Sequence, residues 1–286
     1  MSTDYLIGKT GWSEITLFAI TLVNGLVLRT TSGQTDAVVS GNTYYATKYG
    51  KWERETIISE ANTVTETKVT LIADPSVLFP GTSTPLIQCT KLFARAKIKM
   101  TVLYLSLEDG SQFGTHDLFV GQTTIPSING TSATFTCSDF SYLLQKPWPT
   151  RLIQTGDPFS AFDPHTKLNK ADYQVTATTA SGTTDDLLVI TSAVAHAAPY
   201  YSKGFITMTS GQYSGFSFTV TEQVDTTHFK ISTPHVLKIA PGDTLHLYPG
   251  YDGQLGACMS KFNNLQNFGG FPFVPGPENA LSGSGV

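Results

Sequence analysis

The chain has 286 residues, room for one large or two ordinary domains, and 40% of them are hydrophobic, ample for buried cores. Only 14% are charged, the net charge is −4, and acids and bases are scattered rather than blocked. This excludes the basic stripe that wraps nucleic-acid phosphates, so no direct nucleic-acid binding is expected.

Residues 15–22 form a mostly apolar run far shorter than a bilayer-crossing helix, with no basic segment before it. Neither a signal peptide nor a transmembrane segment is expected. The run reads as a strand, as do residues 26–30, 63–72, 98–107, 123–128 and 131–137, all rich in β-branched or alternating apolar side chains. Asn24-Gly25 and Asn129-Gly130 supply the positive φ of tight hairpin turns, and Asn129-Gly130-Thr131 is read as such a turn rather than a glycan site. Residues 75–79, behind a potential N-cap at Asp74, and 85–94, opened by Pro85, are expected to be short helical connectors. Pro147-Trp148-Pro149 removes two backbone donors and stiffens the chain, which places a boundary between a domain at 1–146 and one at 147–286.

Beyond it, residues 172–177, 187–191, 204–209, 216–220, 228–231 and 244–247 are spaced like the short strands of a small barrel or sandwich. The expected fold is mainly β, with two β domains, the second ending in an extended, clamp-like tail. That tail, from Phe262, is rich in Asn, Gly, Pro and Phe and has no helical or strand period. Phe268, Phe271 and Phe273 are expected to be buried on their own domain or on a partner. Residues 281–286 read as frayed.

Chemistry is sparse. Cys89, Cys137 and Cys258 are too far apart for a metal motif and read as reduced thiols. None of the histidines has a second ligand at metal spacing. Thr209-Ser210-Gly211 has no paired base, and Glu53 and Glu55 point to one face rather than flanking a bond. Ser32-Gly33 and Gly269-Gly270 lack the lysine or helix of a phosphate loop. No catalytic residue and no metal are expected. Two aromatic clusters are candidates for recognition: the loop His196-Ala-Ala-Pro199-Tyr200-Tyr201 for a protein partner, and Tyr44, Tyr45, Tyr49 and Trp52 for stacking on sugars.

The C-terminal part carries a further signature: Gly250-Tyr251-Asp252, then Cys258-Met-Ser-Lys261-Phe262-Asn263, then Asn267-Phe268-Gly-Gly-Phe271-Pro272. It resembles the C-terminal motif of a family of phage tail hub proteins shared with gene transfer agents, and Asp139-Phe140 through Pro147 is similar to that family's joint between its halves. The resemblance implies a structural hub of the distal tail or baseplate, a homotrimer between a distal tail protein ring and a central tip or fibre protein. It would be made in the host cytoplasm and reside in the virion. The assembly and packing residues it implies are Asp252, Cys258, Lys261, Phe262, Asn263, Asn267, Phe268, Phe271 and Pro272. Some relatives hold an iron-sulfur cluster on four cysteines, but here Ser160 and Tyr251 stand at two ligand positions and Cys258 alone is a thiol. No cofactor is therefore expected, and Tyr251, Asp252, Cys258 and the loop at Phe162-Asp163 are expected to pack as a metal-free knot. The alternative is a carbohydrate-binding, receptor-recognition module of the tail tip.

Overall fold

The computed structural model describes residues 11–57, 65–143, 154–184, 186–232 and 237–273. The chain divides into two compact units, Met1–Gln145 and Lys146–Val286, each built on its own sheet. The Pro147-Trp148-Pro149 joint and residues 281–286 lie outside the described residues.

The first unit contains β1 (Trp12–Thr21), β2 (Val27–Thr31), β3 (Ala37–Val39), β4 (Asn42–Tyr44), β5 (Lys51–Arg54), β6 (Glu66–Ile72), β7 (Lys97–Ser106), β8 (Gln112–Thr123), β9 (Ser127–Asn129) and β10 (Ser132–Asp139). The main sheet runs β2-β1-β7-β8-β10-β6-β5, with β9 on β10, while β3 and β4 form a separate hairpin. Alternation decides which faces are covered: in β6, Thr67, Val69 and Leu71 are buried while Glu66, Lys68 and Ile72 face out. At the first hairpin, Gly25 has φ 85° and its N–H donates to the carbonyl of Leu22 at 2.9 Å, which brings Thr21 opposite Val27.

The sheet curls on itself. Trp52 of β5, at one end of the strand order, lies 6.1 Å from Phe18 of β1, stacks on Phe135 of β10 at 5.8 Å and approaches Phe93 at 6.1 Å. Arg54 Nε donates to Thr16 Oγ1 of β1 at 3.1 Å. Fully buried rings of this kind contribute about 1.5–3 kcal/mol each, so the aromatic cluster at Trp52 is a principal anchor of this unit.

Three elements differ from the sequence expectation. Residues 75–79 form a turn, not a helix: Asp74 Oδ1 accepts from Ser76 N–H, the Asp74 carbonyl accepts from Val77 N–H, and Leu78 then bridges Pro85. Five residues before Pro80 cannot offset the cost of nucleating a helix. The next connector is helical but tighter, a 3₁₀ turn over Gln88–Phe93. The expected strand at 123–128 is instead the end of the long β8, a break containing Pro126, and the short β9. β8 itself lacks clean alternation, with Gly114, His116 and Asp117 in it, and is made a strand by pairing with β7 along most of its length.

In the second unit a 3₁₀ turn (Lys170–Tyr173) replaces the start expected for the first strand and leads into β11 (Val175–Thr178). There follow β12 (Leu187–Val189), β13 (Phe205–Met208), β14 (Ser217–Gln223), β15 (His228–Ser232), β16 (Thr244–Tyr248), α1 (Leu255–Phe262) and a 3₁₀ turn (Leu265–Asn267). The sheet order is β11-β16-β13-β14-β15-β12. Its two end strands are tied to each other where Ala180 N–H donates to Val189 O at 2.7 Å and Thr191 N–H to Thr178 O at 2.9 Å, so this sheet also curls toward closure. Leu188, Ile206, Val220, Phe229, Leu245 and Leu247 fill its interior. Helix α1 has no counterpart in the sequence reading. It buries Cys258 and Phe262, one turn apart on one face, places Lys261 in its last turn, and ends at Asn263 in a left-handed conformation, φ 46°.

Candidate assembly site

The C-terminal signature is organised by a close backbone crossing. A Cβ at Gly250 would lie 1.7 Å from the carbonyl oxygen of Ser202, so only glycine lets the segment after β16 pass the 200–204 loop. Gly250 N–H donates to Tyr200 O at 3.1 Å. Lys261 of α1 then donates its ammonium to two carbonyls, Tyr200 O at 2.8 Å and Gly250 O at 3.0 Å, with the Tyr200 ring 5.1 Å away. Burial lowers the Lys261 pKa, and Asp252 opposes that shift. The loop is fixed from the other side by buried Gln223, whose Nε2 donates to His196 O and whose Oε1 accepts from Tyr201 N–H, both at 2.9 Å. His196 stacks on Tyr200 at 3.9 Å while Tyr201 is buried, so of its aromatic side chains the loop singled out in the sequence presents only His196 and part of Tyr200 at the surface.

Phe262 closes an aromatic nest. It meets Tyr173 at 5.3 Å, Tyr251 at 5.6 Å and Phe162 at 6.1 Å, and its carbonyl accepts from Tyr173 O–H. Asp252 Oδ1 accepts from Gln254 N–H just before α1. Beyond the helix, Asn263 is exposed and makes the left-handed turn, while Asn264, which the sequence did not single out, carries the polar contacts. Its carbonyl accepts from Cys258 S–H at 3.2 Å, its Nδ2 donates to Thr166 O at 2.7 Å, and its Oδ1 accepts from Asn267 Nδ2 at 2.7 Å.

The tail then docks through glycine. A Cβ on Gly270 would meet Gly156 at 2.7 Å, one on Gly269 would meet Asp157 Oδ1 at 2.8 Å, and Phe271 N–H donates to Gln154 O at 2.8 Å. Phe268 is partly buried, but Phe271 is 50% and Phe273 93% exposed, and Pro272 is exposed too. Burial of Phe271 and Phe273 on their own domain is therefore corrected: docking runs through the flat Gly-Gly backbone, which leaves the following rings on the surface.

Asp157 is the residue that joins these segments. Only 8% exposed, it accepts from Tyr251 O–H on Oδ2 at 2.8 Å and from Phe159 N–H on Oδ1 at 3.1 Å, and its own N–H donates to Gly253 O at 2.7 Å. Burial first, then the bond to Asp157, pushes the Tyr251 phenol well above its ordinary 10.0. Burial also raises the Cys258 thiol, which is 3% exposed beside Tyr251. The residues present do not fit a four-thiolate cluster: Ser160 is a hydroxyl, Tyr251 is a phenol committed to Asp157, and Cys258 is the one thiol at the positions the family resemblance assigns. Cys89 and Cys137 belong to the other unit, fully buried, with desolvation pushing both thiols up to about 12. Among the described residues no group of three or more His, Cys, Asp or Glu is arranged to hold a metal.

Tyr251 gives this knot a pH signature. A phenol whose folded-state pKa is raised contributes stability that is present below its unfolded value of 10.0 and lost as pH rises above it. Alkaline titration of the native protein should therefore destabilise the second unit above that pH, and Tyr251→Phe should flatten that part of the curve. An unchanged curve would show that the Asp157 bond carries no weight.

Next to the knot lies a cleft of about 500 Å³ lined by Asp157, Ser160, Tyr251 and Asp252, by the rings of Phe159, Phe162 and Phe205, and by Lys170 and Lys203. In the first unit, Trp52 is 1% exposed in the core and is unavailable to a ligand, while Tyr45 and Tyr49 pack edge to face at 5.8 Å around Lys48. Glu53 is paired with Lys51 at 2.6 Å. No helix among the described residues is long and apolar enough to cross a membrane.

Residues 199–278, which contain the crossing, α1 and the docked tail, match the model of a family described as "Phage conserved hypothetical protein BR0599". A chain of a solved structure titled "Virion of native gene transfer agent (GTA) particle" has the same fold. The likeness has a TM-score of 0.78 at 18% identity and covers 99% of this chain and 94% of that one. No curated protein matches.

Proposed function

We propose that this chain is a structural component of a phage or gene transfer agent virion, and within it the hub of the distal tail or baseplate. In this reading it joins a distal tail protein ring to a central tip or fibre protein as a closed homotrimer and catalyses no reaction. The observation that carries the reading is the likeness to a virion chain along nearly the whole of both chains, so both units and their order correspond rather than one common β module. The phage-associated family match over residues 199–278 supports it independently from sequence. The site itself favours assembly over turnover: its buried polar groups are spent on backbone carbonyls and on one another, and its tail leaves the rings of Phe271 and Phe273 exposed.

A hub needs interfaces that are weak singly and stable when a closed ring supplies them together. The purified protein is therefore expected to be a monomer or loose oligomer at low concentration and a defined trimer when co-expressed with its distal tail and tip neighbours. Light scattering of both samples tests this, and a monomer indifferent to both neighbours would overturn the hub role. The carbohydrate-binding alternative loses its best residue, because Trp52 packs in the core.

The same reading holds that no cluster is needed, the Asp157-Tyr251-Cys258 knot doing the linking. Protein purified without oxygen should show no charge-transfer absorbance and only substoichiometric iron. A brown protein with a full cluster's complement of iron per chain would contradict it.

A further inference from the structure

The cleft beside the knot is lined by two lysines, Lys170 and Lys203. Among the described residues neither Lys170 nor Lys203 has a carboxylate at ion-pair distance. Lys170 Nζ sits instead over the rings of Tyr248 and Phe205, 4.3 Å and 4.7 Å from their centres, where burial lowers its pKa. The two carboxylates on the same walls are engaged: Asp157 accepts from Tyr251 and Phe159, and Asp252 accepts from Gln254 N–H and stands near Lys261. The cleft thus offers aromatic walls and two ammonium groups that form no ion pair among the described residues, with Asp157 and Asp252 holding hydrogen bonds of their own on the same walls.

The complement is in the same chain. Phe271 and Phe273 are exposed, and the sequence continues Val274-Pro275-Gly276-Pro277-Glu278, with no Lys or Arg through Val286. Three prolines at 272, 275 and 277 restrict this stretch, so less conformational entropy is lost when it docks. In its own protomer the tail is pinned by Gly269, Gly270 and Phe271 against residues 154–159, yet Phe273 stays on the surface. We infer that the cleft receives the 271–278 segment of a second copy of the chain, with Phe273 against Phe159, Phe162 and Phe205 and Glu278 between Lys170 and Lys203. Such a head-to-tail exchange uses different surfaces on the two copies and seals them all when the ring closes. It rests on the homo-oligomeric part of the proposed function, not on residence in a virion.

Cysteine cross-linking of the full chain tests it. Ser160→Cys places a thiol on the cleft wall and Val274→Cys places one in the segment, while the three native thiols are buried. Across a concentration series, the double variant should form interchain disulfides, seen as a ladder on a non-reducing gel. Adding Lys170→Glu and Lys203→Glu should reduce the ladder about tenfold, and Glu278→Lys on top should restore it, which also shows that the charge-reversed protein is folded. A disulfide within one chain only, no disulfide at the highest concentration, or a ladder indifferent to the charge reversal would overturn the proposal. Absence of the chain from purified particles would instead sink the virion reading and leave this exchange standing.

Discussion

Trp52→Ala is expected to lower the stability of the first unit by about 3–5 kcal/mol, the cost of removing a fully buried large aromatic. The indole is where the sheet closes: it joins β5 to Phe18 on β1 and to Phe135 on β10, and its Nε1 donates to Tyr49 O at 2.8 Å. Truncation would leave a cavity that the curled sheet cannot collapse without separating β5 from β1, and would orphan the Tyr49 carbonyl. At about 3 °C per kcal/mol for a unit of this size, calorimetry should show the first unit's transition falling by about 10–15 °C. A shift of a degree or two would mean that this cluster is not the anchor of the unit.

Gly250→Ala should be comparably severe in the second unit, on the order of 3–5 kcal/mol, because the clash is with backbone and cannot be relieved by a rotamer. The methyl would fall 1.7 Å from Ser202 O and 2.9 Å from Gly204 N. To make room, the 200–204 loop must lift from the segment after β16, breaking the Gly250 N–H bond to Tyr200 and spoiling the paired carbonyls that hold Lys261. The measurement is the upper or lower calorimetric transition assigned to this unit, with Gly256→Ala as control, since a Cβ there meets nothing within 4 Å. Equal stability of the two variants would remove the crossing from the explanation.

Where the sequence was informative, a local rule governed the structure. Thr67, Val69 and Leu71 alternate with polar neighbours and became β6, and Asn24-Gly25 supplied its hairpin. Where it was silent, a long-range contact decided. β8 has a weak pattern of its own and follows β7. Helix α1, eight residues long, is too short to announce itself, and it exists because Cys258 and Phe262 are buried together. The Gly250-Tyr251-Asp252 and Cys258-to-Asn263 segments are legible as motifs, but Asp157, the carboxylate that ties them together, lies 94 residues from Tyr251 and nothing local marks it. Trp52 shows the same limit in reverse, since strand residues of identical type serve a core or a sugar site according to which face the sheet covers.

The central claim is that the chain is built into a particle. Cryo-electron microscopy of the purified phage or gene transfer agent tail, at a resolution that traces side chains, tests it most directly. Density for this chain at the distal end of the tail, in three copies between the distal tail ring and the tip protein, is the expected result. A complete tail whose distal density is accounted for by other chains, with this one absent, would contradict it.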